Sequence, residues 1–196
     1  MKNKVYGFLT LLLIIITGYI VIKKTDLIKK DKELVSKLLT KHDSIQEEWF
    51  NKTIIFPDSL YNLKTQRILN TKLAKSTKKY IMVSYIDADC SDCVGELEKW
   101  TKFLDTNSEF LKKVDMFFIA TSSRKELFKY QVYDQAKLEY DIFFDKENDF
   151  YELNNLSNIK SYQTFLLKKD KVIYIGSPIK DELFEQEILE IIKKKY

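Results

Sequence analysis

The centre of the chain reads Tyr80-Ile-Met-Val-Ser-Tyr-Ile-Asp-Ala-Asp-Cys90-Ser-Asp-Cys93-Val-Gly-Glu-Leu-Glu-Lys-Trp100 and holds both of its 2 cysteines. Residues 80–86 are mostly β-branched or aromatic, which is typical of a strand covered on both faces. After the turn, the spacing of apolar side chains predicts one buried helical stripe: Cys93, Leu97, Trp100 and Leu104. Cys90 lies one turn earlier, at the helix N-terminus, so we expect Cys90 to be accessible and Cys93 to be shielded.

This asymmetric cysteine pair suits dithiol chemistry. The thiolate is the reactive form of cysteine, and the unpaired amides and dipole of a helix N-terminus stabilise negative charge there. Cys90 is therefore the candidate attacking residue, and Cys93 is close enough to resolve the mixed disulfide that Cys90 forms with a substrate. Two other interpretations stay open: half-buried core cysteines, and half of a zinc site. Zinc would need two further ligands, and since the chain adds only His42, we expect no metal.

The composition favours one domain with an appendage. The chain has 196 residues, which is enough for a domain with its own core. Its net charge of +4 comes from 33 basic and 29 acidic residues that are spread along the chain. No arginine-rich or aromatic-interleaved patch indicates nucleic-acid binding, so we expect none.

An uncharged apolar run occupies residues 5–22, with lysines before and after it. Its length predicts a signal anchor or transmembrane helix over residues 1–24, with the membrane as a partner. A cleaved signal peptide is the alternative, but no Ala-x-Ala-like site follows the run. Lysines downstream argue against export, whereas the short basic N-terminal tail is typical of an exported chain. We expect the cysteine pair outside the cytoplasm, in the periplasm or on the outer face of a bacterial cell.

A thin apolar seam follows over residues 25–50, formed by Leu27, Leu34, Leu38 and Ile45. The seam is too narrow for a core helix and predicts a helical stalk or a helix lying on the membrane; it spans too few heptads to predict a coiled coil. The next segment, residues 51–79, predicts a β lead-in with a short strand at residues 53–56.

Beyond the central helix, strands and helices alternate. The pattern predicts strands at residues 114–120 and 141–144, a helix to about residue 137 opened by a capping box of Ser123 and Glu126, and a helical turn at residues 148–153. Residues 162–167 and 171–175 predict a hairpin, followed by a terminal helix that buries Phe184, Ile188, Ile191 and Ile192. This alternation predicts the α/β class, with a central mixed β-sheet flanked by helices on both faces in residues 51–196.

The strand, the Cys-x-x-Cys at a helix start, the βα unit, the hairpin and the terminal helix together resemble the thioredoxin-like superfamily from about residue 52 onwards. Within it, the chain is similar to membrane-anchored, extracytoplasmic thiol-disulfide proteins of the redoxin-related branch. The shared features include Tyr140-Asp-Ile-Phe-Phe-Asp-Lys-Glu-Asn, a strand, Asp and turn piece before the hairpin. Glu96 matches a glutamate that many of these proteins place beside the active site. The resemblance implies that Glu96 relays a proton in thiol exchange; the alternative is a solvated surface glutamate.

The chain departs from the thioredoxin pattern on both sides of the motif. Gln163 replaces the cis-proline that helps thioredoxins receive an extended substrate, so its loop is expected to be trans or strained. The resemblance implies that Gln163 and its neighbour Tyr162 bind substrate. Ser84 stands where many thioredoxins have a buried acidic proton acceptor.

Three carboxylates surround Cys90 in the sequence: Asp87, Asp89 and Asp92. Nearby negative charge disfavours a thiolate and opposes the helix terminus, which argues against a strongly oxidising protein. Asp89 and Asp92 have an alternative role as an N-cap and a first-turn partner of the helix dipole.

The expected function is that of a membrane-anchored thiol-disulfide oxidoreductase, a reductase of protein disulfides, which uses its own Cys90–Cys93 disulfide and no external cofactor. A reductase outside the cytoplasm implies a membrane electron donor. A thioredoxin-fold binding or assembly module without turnover is the alternative, because a fold does not fix a function.

Overall fold

The computed structural model describes residues 2–71, 78–89 and 93–194, and it describes side chains for residues 17–71, 78–89 and 95–194. The chain divides into two compact units, residues 1–47 and residues 48–196.

One long helix, α1 (Lys2–Trp49), makes up the first unit and enters the second. Most of the predicted span, residues 5–22, consists of residues whose side chains lie outside the description. Within the described part of the chain, no helix has the length and apolar character that crossing a membrane requires. A bilayer core needs about 20 apolar residues, and lysines recur along α1 from Lys23 onwards. This finding contradicts the predicted membrane-anchored, extracytoplasmic localisation, and we withdraw it together with the membrane as a partner.

The second unit is built around one sheet, which has seven strands among the described residues. The strands are β1 (Ser59–Asn62), β2 (Arg67–Asn70), β3 (Tyr80–Asp87), β4 (Val114–Thr121), β5 (Ile142–Phe144), β6 (Thr164–Lys168) and β7 (Lys171–Ile175). Their spatial order is β2-β1-β5-β4-β3-β6-β7. Strand β3 pairs parallel with β4 and antiparallel with β6, and this confirms the predicted mixed sheet.

Helices cover both faces of the sheet. They are α2 (Cys93–Thr106), α3 (Ser108–Leu111), α4 (Lys125–Tyr130), α5 (Asp149–Asn154) and α6 (Glu182–Lys193). On one face, Phe118 of β4 contacts Trp100 of α2, with ring centroids 5.3 Å apart. On the other face, Tyr85 of β3 lies 6.3 Å from Phe150 of α5. Ser84, the register partner of Phe118, therefore faces α2, since neighbours along a strand point to opposite faces.

The predicted stripe of α2 is confirmed where side chains are described. Leu97, Trp100 and Leu104 are fully buried, while Glu98 and Lys99 between them are exposed. Burying a large apolar side chain stabilises a fold by roughly 1.5–3 kcal/mol, so this stripe is enough to hold the helix on the sheet. The side chain of Cys93, the fourth member of the stripe, lies outside the description.

The β lead-in differs from the prediction. Residues 53–56 do not form a strand; Thr53 makes one isolated bridge to Lys171 at the edge of β7. The strands lie later, in the hairpin of β1 and β2. Asn62 closes this hairpin, because its side-chain oxygen accepts the backbone N–H groups of Lys64 and Thr65, each at 2.9 Å.

The predicted capping box is wrong. Helix α4 begins two residues after Ser123, and its N-cap, Arg124, makes no side-chain capping bond. The Ser123 hydroxyl donates to Asp89 instead. A π-helical segment (Gln131–Gln135) continues α4, so the helical region ends close to the predicted residue 137.

The C-terminal elements follow the prediction closely. Lys169 and Asp170, both at positive φ, form the two-residue turn between β6 and β7. Helix α6 buries Phe184, Ile188 and Ile192, and Ile191 is half-buried. Tyr162 is the exception: it was predicted to open the hairpin strand and lies instead in a 3-10 turn, Lys160–Tyr162.

Candidate active site

The predicted motif lies at the carboxyl ends of two parallel strands. Strand β3 ends at Asp87, next to Thr121 at the end of β4, and the Ala88 N–H donates to the Thr121 carbonyl at 2.9 Å. Ligands of open α/β sheets bind at this end of the strands. Cys90 and Asp92 lie outside the described residues, and Cys93 is described by its backbone alone, as the first residue of α2. The chemical roles of these residues stay predictions.

Asp89 is fixed to the segment that follows β4. Its carboxylate accepts hydrogen bonds from the Ser122 hydroxyl at 2.9 Å, the Ser123 hydroxyl at 3.0 Å and the Ser123 N–H at 2.9 and 3.0 Å. The bond from the Ser123 amide is the largest cause that lowers the pKa of Asp89, followed by the Ser122 hydroxyl. Asp89 therefore carries its negative charge next to position 90, and these bonds tie it to the β4–α4 connection.

Asp87 supports the same turn. One of its carboxylate oxygens accepts the Asp89 N–H at 3.2 Å, the pattern by which an aspartate stabilises a turn two residues further on. The strand exit is therefore organised by side-chain acceptors, and two of the three predicted carboxylates lie together ahead of Cys90.

Glu96 is partly shielded from solvent. It lies in the first turn of α2, three residues after Cys93, and forms an ion pair with Lys180 from the segment between β7 and α6. Only 14% of the Glu96 side chain and 24% of the Lys180 side chain are exposed. This geometry argues against a freely solvated surface glutamate. Sequence reasoning did not find Lys180, and a lone lysine before a helix gives no local signal of such a pairing.

The loop that faces the motif in thioredoxins is closed here by a glutamine. Among the described residues no peptide bond is cis, and Gln163 has an ordinary φ of −106°. Its side-chain amide donates to the Ser157 carbonyl at 2.7 Å, and its own carbonyl accepts the Tyr85 N–H at 2.9 Å. Of the two expectations for this loop, trans or strained, the structure has the trans form without strain. The glutamine ties the loop to β3 and to residue 157.

Tyr162 is directed into the core. It is buried, and its ring lies 5.5 Å from that of Phe184 in α6. Burial, followed by the charges of Asp181 and Glu187, raises the pKa of Tyr162. Because the side chains of Tyr162 and Gln163 are both buried, a substrate-binding role for this loop would fall on its backbone.

Ser84 places an uncharged side chain where many thioredoxins have a buried acidic proton acceptor. Ser84 is buried, and its hydroxyl lies 3.0 Å from the hydroxyl of Thr164 on β6. The two hydroxyls satisfy each other across the strands. Glu96 is therefore the described carboxylate that stands closest to the motif along α2.

No role was predicted for Asp145 from the sequence, although it lies in the stretch of residues 140–148 that resembles the redoxin-related proteins. Asp145 follows β5 and is buried, where its carboxylate accepts the Phe150 N–H at 2.7 Å. Burial raises the pKa of Asp145. Tyr85 donates to the side-chain oxygen of Asn148 at 2.6 Å, and burial raises its pKa above the usual range. These contacts fix the turn from β5 into α5 on the face of the sheet opposite α2.

The described residues include no group of three or more His, Cys, Asp or Glu side chains placed to hold a metal ion. Thiol-disulfide exchange needs none, because the cysteine sulfurs are both the nucleophiles and the electron carriers.

Comparisons with known proteins agree with this architecture. No family model matches the chain. No curated protein matches it either. Among solved structures, the thioredoxin domain of a thiol-disulfide oxidoreductase from Bacteroides vulgatus is 14% identical, with a TM-score of 0.57 over 74% of this chain and 98% of that one. A thioredoxin-like protein from Porphyromonas gingivalis is 19% identical, with a TM-score of 0.53 over 74% of this chain and 97% of that one. A thiol-disulfide oxidoreductase from Bacteroides fragilis is 12% identical, with a TM-score of 0.53 over 69% of this chain and 99% of that one. The chain therefore has the thioredoxin-like fold that these proteins share.

Proposed function

We propose that the chain is a thiol-disulfide oxidoreductase that reduces protein disulfides, with Cys90 as the attacking residue and Cys93 as the resolving residue. The domain that carries this activity comprises residues 51–196. One observation carries the proposal: the segment that holds the Cys-x-x-Cys pair connects the central strand β3 to α2, whose first residue is Cys93, in a thioredoxin-like sheet. Solved structures with the same fold include proteins named thiol-disulfide oxidoreductases.

The reaction proceeds in two exchanges. The Cys90 thiolate attacks one sulfur of the substrate disulfide, that S–S bond breaks, a Cys90–substrate disulfide forms, and the other substrate sulfur leaves as a thiolate that takes up a proton. Cys93 then gives its proton to Glu96 and attacks the Cys90 sulfur. The mixed disulfide breaks, and the second substrate sulfur leaves and is protonated. The substrate gains two electrons and two protons, and the chain ends with a Cys90–Cys93 disulfide.

The acidic residues ahead of Cys90 support the direction of reduction. Asp89 is held in its charged form by the Ser122 and Ser123 bonds, and Asp87 lies beside it. Negative charge next to a cysteine disfavours its thiolate. Strongly oxidising proteins of this kind owe their potential to a stabilised reduced form, so the acidic residues ahead of Cys90 favour a more reducing protein. A dithiol donor must then return electrons to the Cys90–Cys93 disulfide after each cycle.

Covalent trapping tests the proposal. A reduced Cys93→Ala chain mixed with insulin, a protein with accessible disulfides, is expected to form an adduct that survives a non-reducing gel and disappears with dithiothreitol. A Cys90→Ser chain is the matched control and should form none. Mass spectrometry of the wild-type chain across a glutathione redox series should show the loss of two hydrogens in one reversible step. Absence of both the adduct and the reversible step would contradict the activity.

A binding or assembly module without turnover is the second candidate. The observation that favours it is the closed loop at Gln163, whose side chain is buried and already bonded to Ser157. A module of this kind would bind its partner equally well after Cys90→Ser and would show no trapping. The trapping experiment therefore separates the two candidates.

A further inference from the structure

The ion pair between Glu96 and Lys180 joins two segments that are 84 residues apart in the chain. Glu96 belongs to the first turn of α2, and Lys180 precedes α6. Both side chains are mostly shielded, so water screens their attraction less than it would at an open surface. The Lys78–Asp115 pair is more exposed, because 34% of each side chain is accessible to solvent.

The backbone around Lys180 is fixed on both sides. The Lys180 N–H donates to the Ser177 carbonyl at 3.1 Å, which closes a turn. Directly after Lys180, the Asp181 carboxylate accepts the Leu183 N–H at 2.8 Å and caps α6. A lysine on a fixed backbone loses less conformational freedom when its ammonium group is held, so the pair is formed at a lower entropic cost.

The same turn is bonded to the Gln163 loop. The Ser177 N–H donates to the Ser161 carbonyl at 2.8 Å, and the Gly176 N–H donates to the Thr164 carbonyl at 2.9 Å. The ion pair therefore links the first turn of α2, through the segment after β7, to the loop that contains Gln163.

We propose that Lys180 is a positioning residue for the resolving step, acting through Glu96. This proposal rests on the function proposed above. When Cys93 transfers its proton to Glu96, a negative charge moves from the carboxylate to the sulfur one turn earlier on the same helix. The Lys180 ammonium holds the carboxylate in place before the transfer and offsets the negative charge that develops on sulfur during it.

The experiment measures the two exchanges separately in the full-length chain. In a stopped-flow reaction with a small aromatic disulfide, the first released thiolate reports attack by Cys90 and the second reports resolution by Cys93. We expect Lys180→Met to leave the first step unchanged and to slow the second about tenfold, a barrier change of about 1.4 kcal/mol. We also expect the pH profile of the second step to change, which loss of a purely structural contact would not cause. Lys180→Arg keeps the positive charge and should therefore retain most of the wild-type rate of the second step.

Two further variants control for folding and for charge in general. Lys78→Met breaks an ion pair at the opposite end of β3 and β4 and should change neither step. Lys180→Gln replaces Lys180→Met if the latter fails to fold. In a Glu96→Gln background, Lys180→Met should slow resolution less than twofold further, because both changes remove the same interaction.

The outcomes separate the two proposals. A normal first step with equal second-step rates in wild type and Lys180→Met would overturn the role of Lys180 and leave the oxidoreductase intact. A full tenfold loss in the Glu96→Gln background would overturn it as well, because Lys180 would then act without Glu96. If the wild-type chain performs neither step, the proposed function fails and the role of Lys180 fails with it.

Discussion

Asp89 accepts hydrogen bonds from both the N–H and the hydroxyl of Ser123, 34 residues further along the chain. The bonds tie the last described residue before the motif to the exit of the neighbouring strand. They also keep a negative charge at that place, because they lower the pKa of the carboxyl.

The change Asp89→Asn removes this charge and keeps a side-chain oxygen that can accept the Ser123 N–H. We expect the pKa of Cys90 to fall by roughly half a pH unit, the size of effect that one nearby charge has in water. The pH dependence of Cys90 alkylation, measured in a Cys93→Ala chain, checks this. Asp105→Asn, at the far end of α2, is the control. An unchanged titration would mean that Asp89 serves to hold the turn and has no influence on the thiol.

Replacing the buried Asp145 by asparagine should stabilise the fold in a pH-dependent way. Burial raises the pKa of Asp145 in the folded chain, so the folded state disfavours the charged form. A carboxyl with a raised pKa favours folding at low pH, and this contribution is lost as the pH rises through the folded pKa. Asp145→Asn should therefore raise the free energy of unfolding at pH 7, and the gain should shrink towards pH 3. Urea unfolding at both pH values checks this; a loss of stability at pH 7 would show that the charged oxygen is needed to accept the Phe150 N–H.

Any side chain at position 176 should clash with its neighbours and destabilise the fold. The φ of Gly176 is +153°, and a Cβ there would lie 3.0 Å from the Phe184 ring and 3.1 Å from the Tyr174 ring. We expect Gly176→Ala to lower the free energy of unfolding by about 1–3 kcal/mol. Gly95→Ala is a suitable control, since none of the described side chains lies within 4 Å and the residue is helical, so alanine should be neutral or stabilising. Equal effects of the two changes in thermal unfolding would rule out this account.

Gln163→Pro, which restores the residue typical of thioredoxins, should destabilise this loop. Proline removes the N–H that donates to Lys160 and the amide that donates to Ser157, and it disfavours the helical conformation of Tyr162 before it. We expect a loss of roughly 2–4 kcal/mol. Gln163→Ala removes only the hydrogen bond from the side-chain amide to Ser157 and should lower the free energy of unfolding by about 1–2 kcal/mol. If proline were as stable as glutamine, the loop would have to accommodate proline without its present bonds.

The elements that could be predicted from the sequence are those whose pattern is local. The runs at residues 80–86 and 114–120 are mostly apolar on both faces, and they predicted the bounds of β3 and β4 to within one residue. The apolar stripe at helical spacing predicted α6. The hairpin of β1 and β2 was missed because its strands are four residues long and Ile68 in β2 is exposed, which gives no buried pattern.

The contacts of the site were predictable only in part. The positions of Asp87, Asp89 and Glu96 followed from their distance to the cysteines along the chain. Their partners did not, because Ser123 and Lys180 are brought to them by the sheet and not by sequence proximity. The sequence pattern predicted that Ser123 would cap a helix. Its hydroxyl can make either bond, and the tertiary structure decides between them.

The bridge between residue 53 and β7 has a consequence for the order of events during synthesis. The Asn51 N–H donates to the Val172 carbonyl, the Val172 N–H donates to the Lys52 carbonyl, and Lys171 also bonds Thr53 across 118 residues of sequence. These contacts cannot form on the ribosome until almost the whole domain has emerged. The first residues of the domain can therefore pair only after β7 has been synthesised, and this edge of the sheet stays uncovered until then.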